Sequence, residues 1–178
     1  MSGKLKNGEC FLVSMGCMFL PRKMSGTMAM KVESITDITD KVFKSILKLR
    51  AEFIKENFTT VKIPNGKFSD GDSKKELTDT FKVNVDETFE KMLHPFYRLS
   101  EFHEDDTKQI IDLRENRNEF LKIMKFIESQ SKYIKYNDEI MQSEHDIKVP
   151  QLLRSDFTGV ELEDRRILGM YLKPILKF

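Results

Sequence analysis

Neither glycine nor proline occurs between Phe96 and Val149. Without its two strongest breakers, that stretch is free to run as helix. Tryptophan is absent from the whole chain, and cysteine is scarce. Cys10 and Cys17 lie near one end, so they cannot staple a domain of this length, and their spacing is too wide for a redox CxxC. Free thiols in an intracellular protein are the expectation. Charge of one sign is lacking too: 30 Lys and Arg face 29 Asp and Glu, for a formal net charge of +1. That balance removes a global attraction to nucleic acid or to an anionic membrane.

Catalytic and metal motifs are missing in the same way. The three histidines are His94, His103 and His145. His103-Glu104 begins like a zinc-protease motif, but Thr107 stands where the second histidine is needed. A di-iron bundle wants Glu-x-x-His, and Lys91, Ser100 and Gln142 occupy the position three before each histidine. His145-Asp146 has no partner histidines. No nucleophile elbow, Walker loop or dinucleotide fingerprint is present. Ser69-Asp70-Gly71-Asp72 invites a calcium loop, but an EF-hand starting at Asp70 needs glycine sixth and glutamate twelfth. Lys75 and Phe81 stand there, so a solvated loop is expected. No cofactor or metal is implied.

Helical patterning is what the sequence does contain. Leu113, Phe120, Ile127, Ile134 and Met141 recur at a spacing of seven, flanked by Met124 on one side and by Phe126, Tyr133 and Ile140 on the other. This stripe predicts one long helix from about Glu104 to Met141. Ile35, Ile38, Val42, Ile46, Leu49 and Phe53 predict a second helix over Asp37–Asn57, with Thr36 or Asp37 as its cap. Thr59–Ile63 turns β-like before Pro64-Asn65-Gly66, which predicts a hairpin over Phe58–Phe68. Ser73 with Glu76 makes a capping box for a brief helix through Leu77 and Phe81; Asn84 with Glu87 repeats it before Val85, Phe89, Met92 and Leu93. Pro95 ends that helix, and Leu99 and Phe102 lead to the long one. Near the C-terminus, Pro150 starts a short helix through Leu153. Thr158 with Glu161 starts a last one through Leu162, Ile167, Leu168, Tyr171 and Leu172, limited by Pro174. The expected fold is mainly α: an irregular up-and-down bundle of about four or five helices around one long helix, with minor β-hairpin content.

Lys4 and Lys6 precede an apolar run from Cys10 to Leu20, too short to span a bilayer as a helix. It resembles a signal-peptide core, but Pro21-Arg22-Lys23 is a poor approach to a cleavage site. Asn7-Gly8 competes as a hairpin turn, and Met28, Met30 and Val32 alternate as in a half-buried strand. Residues 1–33 are therefore expected as an extension or small β element, and residues 34–178 as the helical domain.

The functional expectation is a non-enzymatic, intracellular protein that acts through another protein, as an adaptor or complex subunit. Its expected docking surface is the acidic cluster Glu101, Glu104, Asp105, Asp106 and Asp112, beside the least apolar part of the predicted long helix. Intramolecular pairing with Arg165, Arg166 or Lys173 competes. Lys122, Lys125, Lys132 and Lys135 interleave with Phe126, Tyr133 and Tyr136, but on a helix these sort into an inner face and a lysine rim rather than a nucleic-acid surface. Two other classes stand beside this reading. One is a secreted helical signalling or effector protein, for which Asn57-Phe58-Thr59 would be a glycosylation sequon. The other is an enzyme whose site is assembled from scattered residues.

Overall fold

The computed structural model describes residues 5–20, 26–68, 76–94, 108–145, 147–158 and 170–177, with the side chains of Phe68, residues 108–116 and His145 left aside. The fold is mainly α with minor β content. Five α-helices occur among the described residues: α1 (Asn7–Met18), α2 (Gly26–Asn57), α3 (Glu87–Leu93), α4 (Lys108–Glu128) and α5 (Ser131–Gln142). Six strands accompany them, β1 (Leu5–Lys6), β2 (Thr60–Phe68), β3 (Glu76–Lys82), β4 (Glu144–His145), β5 (Leu152–Leu153) and β6 (Leu176–Lys177). They form three two-stranded ladders: β1–β4 and β2–β3 antiparallel, β5–β6 parallel. Internal contacts divide the chain into one unit of Met1–Ile46 with Asn137–Phe178 and another of Leu47–Tyr136. The expected boundary between residues 33 and 34 falls within α2.

In the first unit, the expected N-terminal hairpin is replaced by a helix. Asn7 starts α1 because long-range bonds hold it: its N–H donates to the Ser143 carbonyl at 2.8 Å, and its Nδ2 to the Ile140 carbonyl at 2.8 Å. The Glu9 carboxylate accepts the Lys6 N–H at 2.8 Å, which satisfies one donor at the helix entry. These contacts outweigh the local turn preference of Asn-Gly. The apolar run that follows lies in α1, with Cys10, Val13, Met15 and Cys17 buried, and Leu20 buried just beyond it.

The strand expected over Met28–Val32 is likewise helical. Met28 and Val32 are buried while Met30 is 72% exposed, which is the spacing of a helix and not of a strand. The helix α2 therefore starts well before Asp37, and its stripe runs Met28, Val32, Ile35, Thr39, Val42, Phe43 and Ile46. Thr39 continues this stripe with a polar side chain. It is fully buried, and its hydroxyl donates to the Ile35 carbonyl at 2.9 Å, so a polar residue occupies a core position without an unpaired donor. Thr36 does not cap the helix; its hydroxyl donates to the Val32 carbonyl inside it.

At the C-terminal end, the short helix expected after Pro150 is instead β5, followed by a 3₁₀ turn over Arg154–Phe157. The last expected helix falls largely on residues 159–169, outside the described residues. Gly16 in α1 meets the chain that follows them. A Cβ on Gly16 would sit 2.7 Å from Tyr171 Cβ and 2.8 Å from Leu172 Cδ2.

The second unit has one core cluster, built from Ala51, Ile54 and Phe58, Val61 of β2, Phe89, Met92 and Leu93 of α3, and Phe120, Ile123, Met124 and Ile127 of α4, with Tyr133 of α5. The hairpin is longer than expected. Pro64-Asn65-Gly66 is a bulge within β2, with Gly66 at φ 74°, and the strand continues to Phe68. Ser69–Asp72 lies outside the described residues. The brief helix expected over Leu77–Phe81 is the strand β3. Asp86 rather than Asn84 caps α3, its Oδ1 accepting the Phe89 N–H at 2.9 Å. Pro95, Leu99 and Phe102 lie outside the described residues.

The long helix predicted to Met141 is broken at Ser129-Gln130. Three donors converge on the Phe126 carbonyl: Ser129 N–H at 3.1 Å, Ser129 Oγ at 2.6 Å and Gln130 Nε2 at 3.2 Å. They tighten the last turn of α4 and end it, and the Gln130 carbonyl restarts the ladder by accepting from Tyr133 and Ile134. The break rotates the stripe. Phe120, Ile123, Met124 and Ile127 are buried before it; after it Tyr133 and Ile140 are buried and Ile134 is 46% exposed.

Two consequences are measurable by urea unfolding. Ile127→Ala should cost about 2–5 kcal/mol, and Ile134→Ala no more than about 0.5 kcal/mol; equal losses would show an unbroken stripe. Gly16→Ala should cost about 1–3 kcal/mol through overpacking, whereas Gly26→Ala, with nothing within 4 Å of the added carbon, should be neutral or slightly stabilising.

Candidate functional site

A cleft of about 230 Å³ opens in the second unit where β3, α3 and α4 meet. Its floor is apolar, with Phe89 and Phe120 edge to face at 4.9 Å between ring centroids, and Met92 and Ile123 beside them. Lys82, Asn84, Asp86 and Glu119 stand at its rim. Thr88 also lines it. Asp86 is already engaged as the cap of α3, and Asn84 Nδ2 donates to its second oxygen at 3.3 Å. This volume lies below the range of small-molecule pockets.

Residue types that carry chemistry elsewhere are used for structure. Burial pushes the Cys10 thiol up to about 11, helped by the neighbouring Glu9 carboxylate. Burial also pushes Cys17 up to about 11, against the opposing effect of its hydrogen bond to Thr36. Both thiols are free and protonated at neutral pH, the opposite of an activated nucleophile. Tyr136 is raised by burial and then by Glu52 and Glu56; its ring stacks on Phe53 at 3.9 Å and its hydroxyl donates to the Leu49 carbonyl at 3.2 Å. Lys132 donates to the Asn57 carbonyl at 2.8 Å, at the end of α2, with its ammonium 4.1 Å from the Phe58 ring centroid. A cation at that position complements the helix dipole. Tyr133 and Tyr136 thus face the α2 side, and Lys122, Lys125 and Lys135 are exposed.

Of the acidic cluster, Glu101, Glu104, Asp105 and Asp106 lie outside the described residues, as do His103, Arg165 and Arg166. Asp112 is placed on α4, about one turn from its start. Asn57 of the sequon is exposed, with Nδ2 donating to the Phe53 carbonyl at 3.0 Å, while Phe58 beside it is buried. Among the described residues no group of three or more His, Cys, Asp or Glu is placed to hold a metal ion, and no helix is long and apolar enough to cross a membrane. The cleft gave no signal in the sequence, because its floor residues read as core, which they also are. Compared with protein-family models, with curated proteins and with solved structures, the chain matches none.

One carboxylate in the first unit has a testable titration. Asp156 is held below the usual carboxylate range, first by the Lys31 ammonium, which donates to both its oxygens at 2.9 and 2.8 Å, and then by the Leu153 N–H at 2.8 Å. The folded state therefore binds fewer protons here than the unfolded state. The pair's stabilisation is fully present above the ordinary value of 3.8 and is lost as pH falls through the depressed folded value. The stability gap between wild type and Asp156→Asn, read from urea melts, should be constant from about pH 7 to about pH 5 and should shrink below about pH 4. A gap that widens on acidification would contradict this assignment.

Proposed function

We propose that the protein works by contact with another protein, inside the cell, rather than by catalysis. The observation that carries this reading is the use of the reactive side chains. Cys10 and Cys17 are buried and protonated, Asp156 is tied to Lys31, Asp86 caps a helix, and Tyr136 is stacked on Phe53. Two free buried thiols also suit a reducing compartment.

The docking surface proposed is the acidic cluster of Glu101, Glu104, Asp105, Asp106 and Asp112. Support comes from the sequence: between Glu101 and Glu119 only Ile110, Ile111 and Leu113 are large aliphatics, so that stretch offers little apolar surface to a core. Such a surface would steer a basic partner and weaken with salt.

Reversing Glu104, Asp105 and Asp106 to lysine should leave the circular dichroism spectrum intact, apart from about 0.3–1 kcal/mol per charge if they lie near a helix start. Capture of the native partner should fall, and wild-type capture should fade as salt is raised. Unchanged capture with the fold intact sinks the docking surface. A lowered melting temperature, restored by matching reversals of Arg165 and Arg166, would instead place the acids in an intramolecular pairing. A mature chain shortened at its N-terminus and carrying sugar on Asn57 would overturn the intracellular assignment.

A further inference from the structure

The hairpin β2–β3 has two edges, and they are not equivalent. The Val83 N–H donates to the Thr59 carbonyl at 3.0 Å, so Thr59 and Val83 form a hydrogen-bonded pair. Antiparallel pairs alternate, and the register is Thr60↔Lys82, Val61↔Phe81, Lys62↔Thr80, Ile63↔Asp79 and Pro64↔Thr78. The bonded pairs are therefore Val61/Phe81 and Ile63/Asp79. The backbone groups of Thr60, Lys62 and Pro64 point outward from β2, and those of Thr78, Thr80 and Lys82 point outward from β3. The β2 edge is blunted, since Pro64 has no N–H and the strand bulges between Pro64 and Phe68. The β3 edge carries no proline and no bulge, every residue of it except Phe81 is exposed, and no further strand pairs with it among the described residues.

We infer that the β3 edge pairs with the β3 edge of a second copy of this chain, antiparallel and centred on Asp79, to form a four-stranded sheet across a two-fold axis. The sequence of β3, Glu-Leu-Thr-Asp-Thr-Phe-Lys, is chemically symmetric about its middle residue. In this register Glu76 faces Lys82 of the second copy, Leu77 faces Phe81, and Thr78 faces Thr80. Each is a favourable cross-strand pair, and each occurs twice by symmetry. The register also meets the hydrogen-bond requirement, because it sets the outward groups of Thr78 against those of Thr80. A shift of two residues either way keeps that parity but places Asp79 opposite Leu77 or Phe81. Leu77, 42% exposed in one copy, shares a strand face with Phe81, which packs against the core of its own unit; the pairing covers it. The single unfavourable contact is Asp79 against its own twin, eased by the Asn65 Nδ2 that donates to its Oδ1 at 3.1 Å.

The charges give a discriminating test by sedimentation velocity on the full chain over a range of concentrations. Wild type should dimerise. E76K alone and K82E alone should each set like charges opposite one another at both ends of the strand pair, raising the dimer dissociation constant about two- to thirty-fold. An equimolar mixture of the two variants restores opposite charges at both ends, and dimerisation should return. T80P removes an outward N–H that the β2 ladder does not use, so it should yield a folded monomer with an unchanged circular dichroism spectrum. Asp79→Asn should tighten the dimer. A wild type that stays monomeric overturns the inference, as does a dimer whose single reversals are not rescued by mixing. Should T80P fail to fold, the charge mixture decides alone.

Discussion

The buried stripe of α2 is the constraint that the other elements satisfy. A helix of this length carries far more apolar surface on one face than its own backbone bonds can stabilise in water. In the first unit the stripe from Met28 to Ile46 takes its cover in part from α1, where Phe11 stacks on Phe43 at 4.8 Å. In the second unit Ala51 and Ile54 join the cluster shared with β2, α3 and α4. Full burial of a residue such as Phe43 contributes about 1.5–3 kcal/mol, so a few positions along this one face outweigh any pair on the surface. The exposed ion pairs Lys44–Asp40, Lys48–Glu52 and Lys91–Glu87 are screened by solvent and contribute little by comparison.

Polar side chains act mainly as terminators. The Phe126 carbonyl collects the donors that end α4, Asp86 opens α3, and Lys132 closes α2. Each acts on a backbone group that a helix leaves unsatisfied at its end. Their effect on architecture exceeds their energy. Each decides where an apolar face stops or turns, and so which hydrophobic residues meet.

Where the sequence was legible, one period dominated without competition. The second half of α2, from Val42 to Phe53, and the Phe120–Ile127 face of α4 followed directly from helical spacing. Legibility failed for four separable reasons. Met28, Met30 and Val32 alternate in apolar character, which split one stripe into an apparent strand and a helix. Ser129 and Gln130 are ordinary helix residues by type, and only their bonds to a single carbonyl end the run. Leu77 and Phe81, four apart, share a face in a helix and in a strand alike, so the spacing could not choose between them. Asn7-Gly8 has a strong local preference that contacts with Ile140 and Ser143 override. The candidate surfaces inherit these failures. The acidic cluster was visible as composition, whereas the β3 edge was hidden behind a helical reading of its own residues.

The two units differ in how the chain supplies them, and this bears on the order of folding. Leu47–Tyr136 is one continuous stretch, so every contact of its core is available once that stretch has left the ribosome. The other unit joins Met1–Ile46 to Asn137–Phe178, and its closures are remote: Asn7 bonds Ile140 across 133 positions, and Lys6 bonds Gln142 across 136. Contacts that distant carry a large loop-closure cost and form slowly. During synthesis α1 and the first half of α2 can meet early, since the Phe11–Phe43 stack needs only these two helices, whereas the bonds of Lys6 and Asn7 must wait for Gln142 and Ile140. By then the whole of the continuous unit has been synthesised.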